Sequence, residues 1–283
     1  MSKPAIDPIR WQPPPSRPLP EPDLTATLHL VPVPGTAAED VVADADGNIW
    51  TGVEDGRIIR IRPDGGSAEA VTDTGGRPLG LAVARDGRLL ICDSHRGLLR
   101  YDPATGTIET LVAEVGGRPL TFCSNVVESS SGTIFFTEST SRFRYEYYKG
   151  SVIEGRPTGS LLRLDSDGTV TELPGYPDNI STGLDGRIWV ALVSDRNPLN
   201  EWLAPRAPII RTLLWKLPYR WLPNPKPTVW VVALDPDDGH VVTQLHTSHP
   251  EFGLATGVVE TPGRLWLGRI AGPGICYLDL QHP

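Results

Sequence analysis

Few side chains of this sequence have types that do chemistry unaided. His95, His246 and His249 could each shuttle a proton near neutral pH. His246 and His249 stand just before the last repeat of the chain, and the loop of His249 is the one that could open onto a shared centre. Three cysteines, Cys92, Cys123 and Cys276, are odd in number and widely spaced. They define neither a disulfide framework nor a zinc motif, and they read as small buried apolar residues. There is no Gly-x-Ser-x-Gly elbow, no phosphate loop and no His-Glu-x-x-His pair, so serine-hydrolase, nucleotide and zinc-protease chemistry lack support. Any site must therefore be assembled from residues far apart in the chain.

The elements that could assemble it are repeats. Five stretches share one pattern: Ala45-Asp46-Gly47-Asn48-Ile49-Trp50, Arg85-Asp86-Gly87-Arg88-Leu89-Leu90, Ser130-Ser131-Gly132-Thr133-Ile134-Phe135, Leu184-Asp185-Gly186-Arg187-Ile188-Trp189 and Thr261-Pro262-Gly263-Arg264-Leu265-Trp266. Each is a Gly turn followed by an apolar strand. Such a unit, recurring with several short strands, predicts an all-β fold, a β-propeller of four-stranded blades. In the first repeat the expected strands are 40–44, 48–53, 57–62 and 67–72; in the second they are 80–84, 89–92, 97–101 and 107–111. The fifth repeat lacks an outer strand of its own. Residues 24–33 alternate Leu24, Ala26, Leu28 and Leu30 with polar residues, and are expected to supply that strand and close the ring. Residues 1–23 are Pro-rich and are expected to wrap the surface or stay loose. Residues 24–283 then form one propeller domain with insertions at 141–157 and 197–227. Within the second insertion, 208–217 reads as a helix, with Pro in its first turn and Ile209, Ile210, Leu213, Leu214 and Leu217 at helical spacing.

The net charge of −8 and the lack of a long basic run argue against a nucleic-acid partner. No apolar stretch is long enough for a transmembrane helix, and no signal peptide is evident at the N-terminus, so a cytoplasmic location is expected. Against that acidic background Arg206, Arg211, Lys216 and Arg220 form a basic cluster. The plain expectation is a helix packed across one face of the propeller, a lid being a special case. The sharper one is a peripheral membrane or protein contact through 206–221.

Several ordered segments are more specific. They are Gly76-Arg77-Pro78-Leu79-Gly80, Glu154-Gly155-Arg156-Pro157-Thr158-Gly159, Gly175-Tyr176-Pro177-Asp178-Asn179-Ile180-Ser181, Trp189-Val190-Ala191-Leu192, Asn197-Pro198-Leu199 and Thr256-Gly257-Val258. Together they resemble the strictosidine-synthase-like proteins, within a wider set that includes gluconolactonase, regucalcin and the paraoxonases. The resemblance spans nearly all of residues 24–281. It implies a six-bladed propeller, and here the chain departs from it. Only five residues separate Thr171 from Pro177, where relatives carry another blade. Five repeats predict a five-bladed ring.

The resemblance also implies a centre. In the hydrolytic relatives a divalent cation, often calcium, is held by a Glu, Asn residues and an Asp at the starts of inner strands, and hard cations favour such oxygen donors. The matching positions are Glu39, Asn125 and Asp178, with Asp178 and His249 as candidate catalytic groups. Asn179, Thr256, Tyr148 and Trp202 are candidate substrate contacts. Ordinary readings stand beside these: solvated turn carboxylates for Glu39 and Asp178, a turn cap for Asn125. One Asn ligand goes with the missing blade, and the Asp that follows the Asn in relatives is Val126 here. Thr256 occupies the position of the proton-transferring Glu of strictosidine synthases, and a Thr hydroxyl cannot do that work near neutral pH. The amine–aldehyde condensation is therefore not expected. The expected function is metal-dependent hydrolysis of a lactone or other small ester. The alternative is a non-catalytic propeller that binds a small molecule or a protein.

Overall fold

The glycines of the five repeated stretches all take positive φ: Gly47 79°, Gly87 81°, Gly132 84°, Gly186 88° and Gly263 74°. Side chains with a Cβ avoid that region, so each Gly lets the chain reverse between the first and second strand of a sheet. The structure is a computed structural model that describes residues 3–13, 19–24, 26–129, 131–173, 180–192, 198–222, 224, 226–235 and 240–280.

The leading strand is β1 (His29–Thr36). The first blade follows as β2 (Val42–Ala43), β3 (Ile49–Gly52), β4 (Arg57–Ile61) and β5 (Ala68–Asp73). The second is β6 (Pro78–Val83), β7 (Leu89–Asp93), β8 (Gly97–Asp102) and β9 (Thr107–Val112), followed by a small hairpin of β10 (Glu114–Val115) and β11 (Arg118–Pro119). The third is β12 (Cys123–Glu128), β13 (Ile134–Glu138), β14 (Ser160–Leu164) and β15 (Val170–Leu173). The fourth is β16 (Ile180–Thr182), β17 (Ile188–Ala191), β18 (Val229–Leu234) and β19 (Val241–Thr247); the last is β20 (Ala255–Thr261), β21 (Arg264–Arg269) and β22 (Pro273–Asp279). Every blade is an antiparallel four-stranded sheet, and the last is completed by β1 in the order β1-β22-β21-β20. Among the described residues the ring has five blades, as the repeat count requires.

The closing strand lies later in the chain than its alternation suggested. β1 pairs His29 with Tyr277 and Val31 with Ile275. Val31 and Val33 face the core, whereas Leu30 is exposed. Leu24 instead donates its N–H to the Gln244 carbonyl at the edge of the fourth blade. An apolar alternation marks an extended segment but not its partner, and two sheet edges compete for this one.

Four hydrophobic clusters lie between blades. Ile49, Ile59, Ile61 and Trp266 join the last blade to the first. Trp50, Ile58, Leu89 and Ile91 join the first to the second. Leu90, Leu98, Phe136 and Leu162 join the second to the third. Trp189, Val231, Leu265 and Leu267 join the fourth to the last. No such cluster joins the third blade to the fourth among the described residues. On that side of the third blade Val127 is 58% exposed, although it stands on an inner strand. This is the junction at which the resemblance implies a further blade.

The two insertions and the N-terminal segment build a cap. The first insertion, between β13 and β14, holds a 3-10 turn (Tyr145–Tyr147) and α1 (Lys149–Glu154). The second, between β17 and β18, holds α2 (Pro198–Leu203) and α3 (Pro208–Lys216). The latter ends one residue before the expected limit because Pro218 pushes Leu217 into extended backbone. Phe143, Ile153, Trp215 and Leu222 form the cap's own core, with Ile6 packed against it. Arg211 is fully buried. It donates to the carbonyls of Ile153 and Glu154 at 3.0 and 3.1 Å, and to that of Ile9. The Glu154 carboxylate, itself buried, takes two hydrogen bonds from Arg142 and one from the Asp7 N–H at 2.6 Å. The N-terminal segment thus wraps the cap.

Candidate functional site at the capped end of the ring

The first strand of each blade lies innermost, and close approach of these strands requires glycine. A Cβ on Gly80 would sit 2.6 Å from the Asn125 Cα, and one on Gly257 would sit 2.6 Å from the Asp40 Oδ1. Strand β6 therefore lies between the starts of β2 and β12, and β20 lies against β2. Glu39 and Asn125 consequently flank the same inner strand. Glu39 is buried in the loop before β2. The Thr256 Oγ1 donates to its backbone carbonyl at 2.6 Å, which ties β20 to that loop. Asn125 is half-buried on β12, its N–H donates to the Thr137 Oγ1 at 3.1 Å, and its Oδ1 accepts from the Val126 N–H at 2.9 Å. Asp178 and Asn179 lie outside the described residues.

Next to Glu39 stands a carboxylate that sequence reasoning passed over. Asp40 is buried and accepts from the Leu81 and Val41 N–H groups, each at 2.9 Å. Burial pushes its pKa up to about 6, against the pull of those two donors. Its contact with Leu81 joins the first blade to the second.

The mouth above these groups is occupied by Tyr145 and Arg77. The Tyr145 ring packs edge-on against Phe122, just before β12, with centroids 5.9 Å apart. The Arg77 guanidinium lies 4.8 Å from the same ring. The Tyr145 hydroxyl donates to the Ile270 carbonyl, beyond β21, at 3.3 Å. One side chain thus touches the second, third and last blades, so it spans the axis of the ring. Arg77 is fully buried and donates to the carbonyls of Ala37 and Pro78 at 2.9 and 2.7 Å. Signals for both existed in the sequence: Arg77 in the Gly-Arg-Pro segment, Tyr145 in the aromatic insertion. Neither signal says that they meet.

The remaining candidates divide between the cap and the rim. Tyr148 is half-buried beside Tyr145, with ring centroids 6.4 Å apart, and burial raises its pKa. Trp202 is 53% exposed on α2, with the Arg206 guanidinium 3.7 Å over its ring. His249, half-buried in the loop between β19 and β20, accepts the Glu251 N–H on Nδ1 at 3.1 Å, which leaves Nε2 to carry a proton. His246 is on the outermost strand of its blade, stacked on Trp230 at 4.3 Å, and so is far from the centre. His95 meets Glu146 at 2.7 Å and pins the second blade to the cap. All three cysteines are free and buried, as read from the sequence.

Oxygen donors at the inner ends of a capped propeller invite comparison with known proteins. Residues 41–184 match the sequence profile of the SMP-30/Gluconolactonase/LRE-like region. The chain belongs to this family. Among curated relatives, it is 27% identical to the adipocyte plasma membrane-associated protein of Salmo salar, over 82% of this chain and 73% of the other. It is 25% identical to strictosidine synthase-like 4 of Arabidopsis thaliana, over 86% of this chain and 79% of the other. The alignment with the salmon protein runs over 309 residues, more than the 283 of this chain, so the relative carries segments absent here. In fold the chain is similar to a gluconolactonase of Xanthomonas campestris, with TM-score 0.60, 19% identity and 90% of each chain covered. It is also similar to a luciferin-regenerating enzyme, with TM-score 0.59, 10% identity, and 91% and 96% covered.

The donor set suits a hard cation in kind: one carboxylate from Glu39 and one amide oxygen from Asn125. Among the described residues no group of three His, Cys, Asp or Glu comes together. Asp40 beside Glu39 accepts from the Leu81 and Val41 N–H groups, and Asp178, the other carboxylate expected here, lies outside the described residues.

Proposed function

We propose that this protein is a hydrolase of a lactone or small ester that works with a divalent cation, calcium suiting the all-oxygen donors best. The observation that carries the proposal is the buried Glu39 carboxylate, held with Asn125 on either side of one inner strand at the capped end of a gluconolactonase-like ring. Glu39, Asn125 and Asp178 would hold the cation, which when bound supplies polarisation of a carbonyl and orientation of water. The remaining steps belong to the chain. Asp178 would take the proton of the attacking water and return it to the leaving oxygen, and the His249 Nε2–H, protonated because Nδ1 accepts, would donate a hydrogen bond to that oxygen. Thr256 holds the loop of Glu39 in place, and Asn179 and Tyr148 would contact the substrate. The exposure of Trp202 suits the outside of the cap better than a closed pocket. Tyr145 and Arg77 would exclude water from the centre, which strengthens every charge interaction within it.

Calorimetric titration with calcium, magnesium, manganese and zinc tests this, alongside turnover of lactones and aryl esters. Glu39→Gln, Asn125→Ala and Asp178→Ala should each weaken cation binding at least about tenfold, a loss of roughly 1.4 kcal/mol, and turnover should fall with it. Wild-type protein that binds no cation and turns over no ester would end the proposal. The closed mouth favours a second reading, a propeller that binds without catalysis. A metal-dependent rate abolished by Asp178→Ala excludes it.

A further inference from the structure

Helix α3 turns most of its apolar residues outward. Its spacing of Ile209, Ile210, Leu213, Leu214 and Leu217 suggested an apolar face for packing, yet apart from Leu214 these side chains are 60%, 39%, 56% and 40% exposed. The face that packs carries Leu214, Trp215 and the cation Arg211. A helix normally buries its apolar stripe and shows its charges. Here the reverse arises because Arg211 is fixed by three backbone carbonyls, and the Trp215 Nε1 donates to the Pro4 carbonyl at 2.7 Å.

The outward apolar side chains are flanked in the chain by two exposed tryptophans, Trp202 at 53% and Trp221 at 63% exposure. Along the chain, beyond Glu201, charge in this stretch is of one sign. Residues 202–234 contain no Asp or Glu but five Lys or Arg, in a chain whose net charge is −8. Arg211 is committed to the cap's interior. Arg206, Lys216, Arg220 and Lys226 flank the apolar residues along the chain, Arg206 lying 3.7 Å over the Trp202 ring, and Lys3 donates to the Leu217 carbonyl at 2.6 Å.

We infer that this face of the cap docks onto an anionic lipid surface. Two features favour a bilayer. The two exposed tryptophans match the preference of indole for the headgroup level. Basic residues flanking exposed apolar ones are the charge pattern that anionic headgroups complement. The contact would be shallow and reversible, because a nine-residue helix lies in the interface and does not cross it. The inference uses the surface alone and stands whether or not the ring hydrolyses an ester.

The test is co-sedimentation of the full chain with vesicles of phosphatidylcholine, with and without a quarter of phosphatidylglycerol. Binding is expected to the anionic vesicles, weakened by salt. Leu213→Ser with Trp221→Ser should reduce it about tenfold or more. Lys216→Glu with Arg220→Glu should do the same. All four side chains are exposed, so circular dichroism and the melting temperature should change little, and either pair can stand in if the other fails to fold. Two results would overturn the inference: no sedimentation with anionic vesicles, or self-association of the free protein that the Leu213/Trp221 pair abolishes, which would mean that a second copy covers the face.

Discussion

At the scale of single residues, the buried acid beside the candidate site has a consequence for stability. Asp40 has a folded pKa of about 6, above the ordinary 3.8. Raised this way, it favours the folded state most below about pH 4, and that contribution is lost as pH climbs through 6. The loss is about 3 kcal/mol. Urea unfolding of chelator-treated protein should therefore show stability falling between these limits, relative to an Asp40→Asn variant that lacks the step; parallel profiles would refute it. The thiols follow from burial too. Cys92 and Cys276 are held well above the ordinary thiol pKa by desolvation, and the Cys92 Sγ also donates to the Asn125 carbonyl at 3.1 Å. A thiol reagent at mild alkaline pH should label no cysteine in the native protein and all three in denaturant. Rapid native labelling would show that the blades open more readily than their packing implies. Glu39 and Asn125 were singled out through the family resemblance, and the structure sets them on either side of β6. Asp40, Arg77 and Tyr145 were not, because their partners lie on other blades and no spacing records them.

At the scale of elements, blade strands were readable to within two or three residues wherever a Gly turn fixed one end, as between β6 and β7. The failures share a cause. β1 was placed too early because its partner, β22, is nearly the whole chain away. The β10–β11 hairpin escaped notice although Gly116 and Gly117 both take positive φ, the backbone that a two-residue hairpin turn demands. Helix α3 was found, but of its apolar spacing only Leu214 packs on the cap's core, beside the buried Arg211, since periodicity reveals a stripe and not what fills the facing surface. Blade three offers a direct test of one-sided packing. Leu162 is 1% exposed between blades two and three, whereas Val127 on the opposite face is 58% exposed. Leu162→Ala should cost about 2–5 kcal/mol and Val127→Ala less than about 1 kcal/mol. Chemical denaturation of the two variants decides it, and equal losses would show that both faces are packed.

At the scale of the whole molecule, a ring is only as strong as its loosest junction. The closure between first and last blades is doubly held, by the β1–β22 pairing and by the cluster around Trp266. The junction between blades three and four has no equivalent apolar cluster among the described residues. Among the described residues, the cap bridges the two blades: Arg211 of the second insertion bonds to Ile153 and Glu154 of the first. The shortened ring thus relies on its cap for a connection that an inter-blade core supplies elsewhere. Local opening follows the lowest contact density. Hydrogen exchange in mild denaturant should therefore release β15 and β16 before β6, β7 and β8. Arg211→Ala should widen that difference, since it leaves three carbonyls unpaired and frees the cap. Exchange that is uniform around the ring, or unchanged by Arg211→Ala, would mean that the third and fourth blades hold each other directly and that the cap serves the site alone.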